Sequence, residues 1–511
     1  MLAYYVLIFL VIYIGLMIFL GYYGSRKVKA ISDFTAALSS YGPIPVALAY
    51  AAVWSSAITF IGTPGFIYGI GPPGAQYIYL GMAGTLIAAA LATYYFRRMI
   101  EKMKPLTLFE YLGKRFESDG VMIIAAITYV FGILFFCASA LTGGGTILAV
   151  VLDVPFQLGL CLCALICVVY ILLGGTHGTT LTAVVQSTIM TISAVVIFLI
   201  GFVFLFEGGV SEVIERASAQ GEQFSGSHIF STIDRTFMLP SVIGIFIGHI
   251  AYAFSPHVAK TVLILQDKRQ VLPFLIWTTL IMSLMILVVW AGWGARAYLA
   301  DPNLHPDYAL PTLIVTAFHP IVAALLCVAI FSAAMSSFGP MLLTWSSSIA
   351  HDIYRKYIVP RTNSKTLPDD SLDKREFLYT RLLLIVGTLI SIIIVWDQPE
   401  YLIIMLWTGF GATIAGIAPN TIISTMWRGA SKAGAIASNI MGVVCYLFTF
   451  MVLEFTPFEA AGVAITLSAI VLVVVSLFTR KPSKDVLDDL FDVSDEYRRG
   501  LSQPGMVHKD S

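Results

Sequence analysis

The sequence predicts an all-α integral membrane protein with about thirteen transmembrane helices, and composition, charge placement and the length of its apolar runs all point there. Of its 511 residues, 58% are hydrophobic and 12% charged, whereas a soluble domain carries about 25% charged residues. Net charge is zero, and the charges sit in short stretches between apolar runs of about 20 residues, enough to cross a hydrocarbon core of about 30 Å. The lipid bilayer is therefore the expected solvent, and nucleic acid is not an expected partner.

The first run, 3–23, has no basic residue before it and is followed by Arg26, Lys27 and Lys29. That is the reverse of a secretory signal's charge order, so the run reads as an uncleaved span. The spans after it are expected at 43–70, 75–97, 120–150, 155–174, 180–208, 236–258, 271–297, 310–350, 379–396, 400–425, 432–454 and 457–479. With the N-terminus outside, 27 Lys and Arg fall on the inner side and three, Arg216, Arg235 and Arg296, on the outer. The positive-inside rule then places the C-terminus in the cytoplasm of a multi-pass plasma membrane or bacterial inner membrane protein.

The six cysteines, Cys137, Cys161, Cys163, Cys167, Cys327 and Cys445, lie in apolar runs with no CxxC pair and read as packing residues. In the tail 480–511, Arg480, Lys481 and Lys484 are followed by Asp485, Asp488, Asp489, Asp492, Asp495 and Glu496, the pattern of a solvated amphipathic segment. Gly69-Ile70-Gly71-Pro72-Pro73-Gly74 has the spelling of a dinucleotide loop, but it follows a membrane helix and its prolines cannot open the helix such a loop needs.

No acidic residue sits mid-span; Asp153, Glu207, Asp397 and Glu454 lie at outer helix ends. Intramembrane carboxylates mark many proton relays and cation sites, so a proton carrier would have to be His249 or His257, and a cationic solute has no counter-charge. A desolvated Na⁺ can be held instead by main-chain carbonyls of an unwound helix and hydroxyls facing it. Ala51 to Gly65 is rich in small and hydroxyl residues and ends in Gly62-Thr63-Pro64-Gly65, a stretch able to break a helix; Ser332-Ala333-Ala334-Met335-Ser336-Ser337-Phe338-Gly339-Pro340 offers the facing hydroxyls. Close helix packing accounts for either stretch taken alone.

These two stretches, with Thr107–Phe116, Tyr170-Ile171-Leu172-Leu173-Gly174-Gly175 through Gln186, Ser255-Pro256-His257 and Ser346–Tyr354, resemble the sodium:solute symporter family over nearly the whole chain. The resemblance implies a leucine-transporter-type inverted five-helix repeat. It would place the transporter domain at 1–479, the first repeat at about 43–208, the second at about 236–425, and a cytoplasmic tail at 480–511. It implies Na⁺ as the transported coupling ion, bound by the carbonyls of Ala52, Ser55 and Ala333 and the hydroxyls of Ser336 and Ser337.

Two departures from the family pattern stand out: Ala183 where members commonly carry an Asp that contributes to a second Na⁺ site or an exit path, and Trp54 where proline-type members have an Asp. The first argues for one ion per cycle, and the second against proline. The solute pocket is expected beside the ion, from Trp54, Ser56, Thr59, Tyr129, Thr142, His249, Tyr252, Phe254, Trp407 and Thr408, with Tyr252 as the aromatic inner gate. The wording of Phe60–Gly65 and Asp307–Leu313 looks most like the pantothenate and monocarboxylate branch, so the expected function is Na⁺-coupled symport of a small organic solute by alternating access. The alternatives are a proton-coupled or facilitative carrier of a neutral sugar or amino acid, or a channel, though a broken-helix pair suits alternating access better than a pore. An enzyme is not expected, since no span carries a triad, a carboxylate pair or a metal cluster. Oligomeric state is not readable.

Overall fold

The computed structural model describes residues 2–25, 41–96, 99, 102–103, 105–228, 239–263, 265, 268–362 and 368–491. Arg26, Lys27, Lys29, Arg235, Asp492, Asp495 and Glu496 lie outside them. Among the described residues, ten helices are long and apolar enough to cross a membrane, or eleven with the bent pair Pro43–Trp54 and Ile58–Ile70 counted as one span. Two more apolar helices, Phe156–Leu172 and Leu239–Ala253, are shorter; the expected thirteen is reached only with both of them.

In chain order the helices are α1 (Leu2–Ser25), α2 (Pro43–Trp54), α3 (Thr63–Ile70), α4 (Ala75–Leu91), α5 (Leu108–Arg115), α6 (Asp119–Leu152), α7 (Phe156–Phe198), α8 (Gly209–Ser218), α9 (Leu239–Ala253) and α10 (Pro256–Leu263). They continue as α11 (Val271–Met285), α12 (Ala291–Leu299), α13 (Ala309–Ala317), α14 (Pro320–Ser347), α15 (Asp369–Ile394), α16 (Leu402–Met426), α17 (Lys432–Met451), α18 (Pro457–Phe478) and α19 (Lys484–Phe491).

The break expected within the span 43–70 is present, and the spans 310–350, 155–174 and 180–208 are corrected. The span 43–70 is two helices meeting at 59°, because Ser55 and Ser56 leave the helix and a π-helical turn, Ile58–Gly62, precedes α3. The span 310–350 divides at Phe318, which is extended, and restarts at Pro320, a residue that can open a helix but not continue one. The two spans 155–174 and 180–208 share continuous helical backbone through α7, so Gly174–Gly175 does not end a helix.

The middle of the bundle is built from α2, α6, α7, α14 and α16, with α9 and α10 against them. Small residues let these helices touch at backbone distance: a Cβ on Gly442 of α17 would stand 2.2 Å from the carbonyl oxygen of Ala415 in α16. Apolar side chains cover the lipid-facing rim, for example Phe131, Leu165, Ile393 and Phe478. The tail is corrected as well: α19 docks on the bundle, with Leu487 and Leu490 buried, Asp488 paired to Arg428, and Phe491 under the Arg115 guanidinium at 5.3 Å.

Candidate functional site

The break between α2 and α3 frees carbonyls that a continuous helix would use. Ser56 N–H turns back to Trp54 O at 3.1 Å, and Ser56 Oγ accepts from Ile58 N–H at 3.2 Å, capping the next turn. Ala52 O and Val53 O then face α14. Ser336 Oγ donates to Ala52 O and Ala333 O, both at 2.9 Å, and Ser337 Oγ donates to Val53 O at 3.3 Å.

Four of the five expected ion ligands, Ala52, Ala333, Ser336 and Ser337, are thus gathered in one buried cluster of neutral oxygens. Ser55 closes α2, its N–H donating to Ala51 O at 2.7 Å, and its buried hydroxyl has no hydrogen-bond partner. The donor set suits Na⁺: carbonyl and hydroxyl oxygens with no charge to be overcome. Ala183 packs against Ala49 and Ala52, so methyl groups occupy the place beside this cluster where a carboxylate would have to stand.

Next to it lies a cavity of about 30 Å³ lined by Trp54, Ser56, Ile58, Thr59, Tyr77, Ile78, Phe136, His249, Tyr252, Leu406 and Trp407. Of the solute candidates, Trp54, Ser56, Thr59, His249, Tyr252 and Trp407 are there. Thr408 is not: it lines a separate groove of about 330 Å³ with Phe135, Pro399 and Glu400, because neighbouring positions on α16 point about 100° apart. Tyr129 sits against His257, Thr142 bonds within its own helix to Ala138 O, and Phe254 is buried at the end of α9.

Sequence reasoning missed Tyr77, whose hydroxyl accepts from Trp407 Nε1 at 2.9 Å, and Phe136. It also missed Val53, whose carbonyl accepts both Ser337 Oγ and Tyr252 Oη at 3.3 Å and so joins the serine cluster to Tyr252. Only a backbone oxygen acts at Val53, and no residue type announces that.

Tyr252 stands one turn before the second break, where α9 stops at Ala253 and α10 starts at Pro256. Its ring forms a plug with Phe136, His257 and Phe410, all pairwise centroid distances lying between 5.3 and 6.0 Å. A cavity of this size holds water but not an organic solute, so solute entry requires the rings around it to move.

A second cluster, away from the cavity, was not legible beforehand. Glu110 on α5 and Glu376 on α15 bracket His351, at 3.6 Å from Nε2 and 2.9 Å from Nδ1. Arg355 bonds Glu376 at 2.7 Å, and Thr107 Oγ1 donates to Asp352 Oδ1 at 2.5 Å. Burial pushes the Glu110 carboxyl up, but the His351 imidazole beside it, the hydrogen bond from the Leu106 N–H and the Lys114 ammonium prevail and hold it well below the usual carboxylate range. The ion pairs fasten α5 to α15 and to the end of the long helix that begins with α14.

A helix broken mid-bundle, its freed carbonyls facing hydroxyls of a second helix, and an enclosed cavity beside the break define a secondary active transporter. The sequence profile of the sodium:solute symporter family matches residues 34–442. The chain belongs to that family, a family of transporters, and it is a Na⁺-coupled solute symporter of the membrane.

Among curated relatives it is similar to the high-affinity proline transporter PutP of Bacillus subtilis, at 25% identity over 94% of this chain and 99% of the relative. It is similar also to the osmoregulated proline transporter OpuE of the same organism, at 23% identity over 94% and 96%. Its fold is similar to that of a Na⁺-coupled sialic acid symporter in a substrate-bound outward-open state, with a TM-score of 0.78 and 20% identity over 95% of this chain and 99% of that one. A looser likeness, TM-score 0.54 at 14% identity over 89% and 98%, is to Mhp1, a nucleobase-cation-symport-1 family transporter. These proteins are named for proline, sialic acid and nucleobases, so the expectation of a pantothenate or monocarboxylate solute is given up.

Proposed function

We propose that this protein carries one Na⁺ inward with one small neutral solute, a proline-like amino acid being the first to test. The observation that carries the reading is the ion cluster lying wall to wall with a charge-free aromatic cavity: Ala52 O and Val53 O face Ser336 and Ser337, while Trp54 and Ser56, the next residues along, line the cavity. A zwitterion needs no acid or base there. The first turn of the second half-helix presents N–H groups toward a carboxylate, and carbonyls of the unwound segment can accept from an ammonium.

The names of the relatives support proline. Trp54, standing where proline-type members have an acid, counts against proline itself, which is why the panel of neutral amino acids is tested beside it. Ala183, packed on Ala49 and Ala52, supports a single ion.

The two halves are read as inverted repeats, about 43–208 and 236–425, each opening with a broken helix. The N-terminus is outside and the C-terminus inside. In this reading Na⁺ bound by Ala52, Ser55, Ala333, Ser336 and Ser337 holds α2 against α14, and with α2 the Val53 carbonyl that accepts from Tyr252, so loss of the ion lets the inner plug part. The experiment is uptake of labelled proline and a panel of neutral amino acids by reconstituted vesicles, with and without a Na⁺ gradient. Uptake that ignores Na⁺, or follows a proton gradient in its place, overturns the coupling; a Na⁺-driven solute other than a neutral amino acid overturns the solute class.

A further inference from the structure

On the side of the cavity opposite the aromatic plug, three segments close together: the half-helix α3, the loop 301–308 ahead of α13, and the entry 398–402 to α16. Tyr68 Oη donates to Asp301 O, Tyr308 Oη donates to Gln398 Oε1 at 3.1 Å, and His305 Nε2 lies 3.2 Å from Pro399 O. At their meeting point is Asp307, with no exposure to water. Its Oδ2 accepts from the Leu402 N–H at 3.1 Å, in the first turn of a helix whose N-cap, Tyr401, supplies no side-chain cap. Its Oδ1 has no hydrogen-bond partner.

The fit is tight. A Cβ on Gly65 of α3 would stand 2.8 Å from Pro306 O and 3.0 Å from Asp307 Oδ1. Any relative movement of α3, the loop and α16 therefore opens this carboxyl to water.

We propose that Asp307 is the positioning residue of the outer gate: as a neutral acid it fastens the 301–308 loop to α3 and to the start of α16, and it releases its proton when the gate opens. The proposal rests on the alternating-access reading above.

The titratable and charged groups around it are His305 and Tyr308 on its own turn, Tyr68 on α3, Arg296 and Asp301 just before the loop, and Glu400 and Tyr401 at the entry to α16. None donates to Oδ1, and burial, offset only by the Leu402 N–H, pushes the carboxyl up to about 8. A solvated aspartate titrates near about 4.

The closed state thus binds one more proton than the open state between about pH 4 and 8. Raising the external pH through that window favours opening, by up to tenfold per unit. Below it both states are protonated and above it both are ionised, so the dependence ends there. Between pH 6 and 8 the gain in the open-to-closed ratio approaches about fiftyfold.

The test places a reporter cysteine in the cavity wall by Thr59→Cys and measures its labelling by a membrane-impermeant thiol reagent added outside sealed vesicles, from pH 6 to 8. Thiol reactivity itself rises with pH, so the same scan in the Thr59→Cys, Asp307→Asn protein supplies the reference. The amide is the permanently neutral isostere and keeps the Leu402 hydrogen bond.

The labelling rate with Asp307 is expected to gain more than tenfold over the Asp307→Asn reference across this range. The Asp307→Ala protein, which uncovers the Leu402 N–H, is expected to label faster at every pH with no excess slope. Equal slopes with Asp307 and Asp307→Asn, in proteins of equal thermal midpoint, overturn the proposal and leave the symport reading intact. A cysteine at position 59 that no variant exposes to the outside at any pH overturns the symport reading, and the gate with it.

Discussion

Replacing Ser337 by Ala, or Ser336 by Ala, deletes one oxygen from the cluster between α2 and α14 and leaves the cavity wall untouched. Ser336 Oγ lies 2.9 Å from each of two carbonyls, Ala52 O and Ala333 O, and Ser337 Oγ lies 3.3 Å from Val53 O. Both serines are buried, so no bulk water replaces the lost ligand. A hydrogen bond to a charged group is worth about 1.5 to 3 kcal/mol, which converts to about ten- to a hundredfold in affinity.

Each variant should therefore raise the Na⁺ concentration for half-maximal uptake by at least about tenfold, while the order of preference among solutes stays the same. Ser336→Ala should act more strongly, because Ser336 Oγ meets two carbonyls where Ser337 Oγ meets one. The assay is initial uptake against external Na⁺ in reconstituted vesicles, with the solute panel repeated at saturating Na⁺. Unchanged Na⁺ dependence in both variants would refute the ion assignment, and a changed solute order at saturating Na⁺ would show that the serines line the solute site.

For a neutral solute moving with one Na⁺, a potential of 100 mV contributes about 2.3 kcal/mol and a tenfold Na⁺ gradient about 1.4 kcal/mol. Their sum limits accumulation to about five-hundredfold, and an inside-negative potassium-diffusion potential should accelerate uptake; indifference to voltage would refute the stoichiometry. Tyr252→Ala should uncouple accumulation from Na⁺ while solute binding persists, because it removes both a plug ring and the hydrogen bond to Val53 O; normal accumulation would reduce Tyr252 to packing. Gly248→Ala should weaken solute binding, since its Cβ would stand 2.5 Å from the Trp407 ring and force the indole toward the cavity; equilibrium binding measures it. Glu376→Gln should cost about 3 kcal/mol by leaving His351 and Arg355 short of a buried partner, seen as a lowered thermal midpoint in detergent.

The sequence by itself determined the solvent and the helical class, and it pointed to the chemistry proposed here for the ion site. Apolar runs long enough to cross a bilayer leave only one way to satisfy the backbone, and small and hydroxyl residues on either side of a Gly-Thr-Pro-Gly interruption name both halves of a neutral-oxygen cluster. The missing mid-span carboxylates excluded an acid-based cation site before any coordinate was known.

Only the tertiary structure decided what depends on neighbours distant in sequence. It put Trp407 in the cavity and Thr408 outside it, because the helix turns about 100° per residue and composition carries no rotation. It brought Tyr77 and Phe136 to the wall from helices whose own pattern reads as packing, and it gave Val53 a part through its carbonyl, which every residue has. The loop acid Asp307 and the carboxylates around His351 looked solvated because they lie between or at the ends of apolar runs. Burial of such groups is decided by which loop folds over which helix end, and that is a property of the assembled bundle rather than of any local stretch.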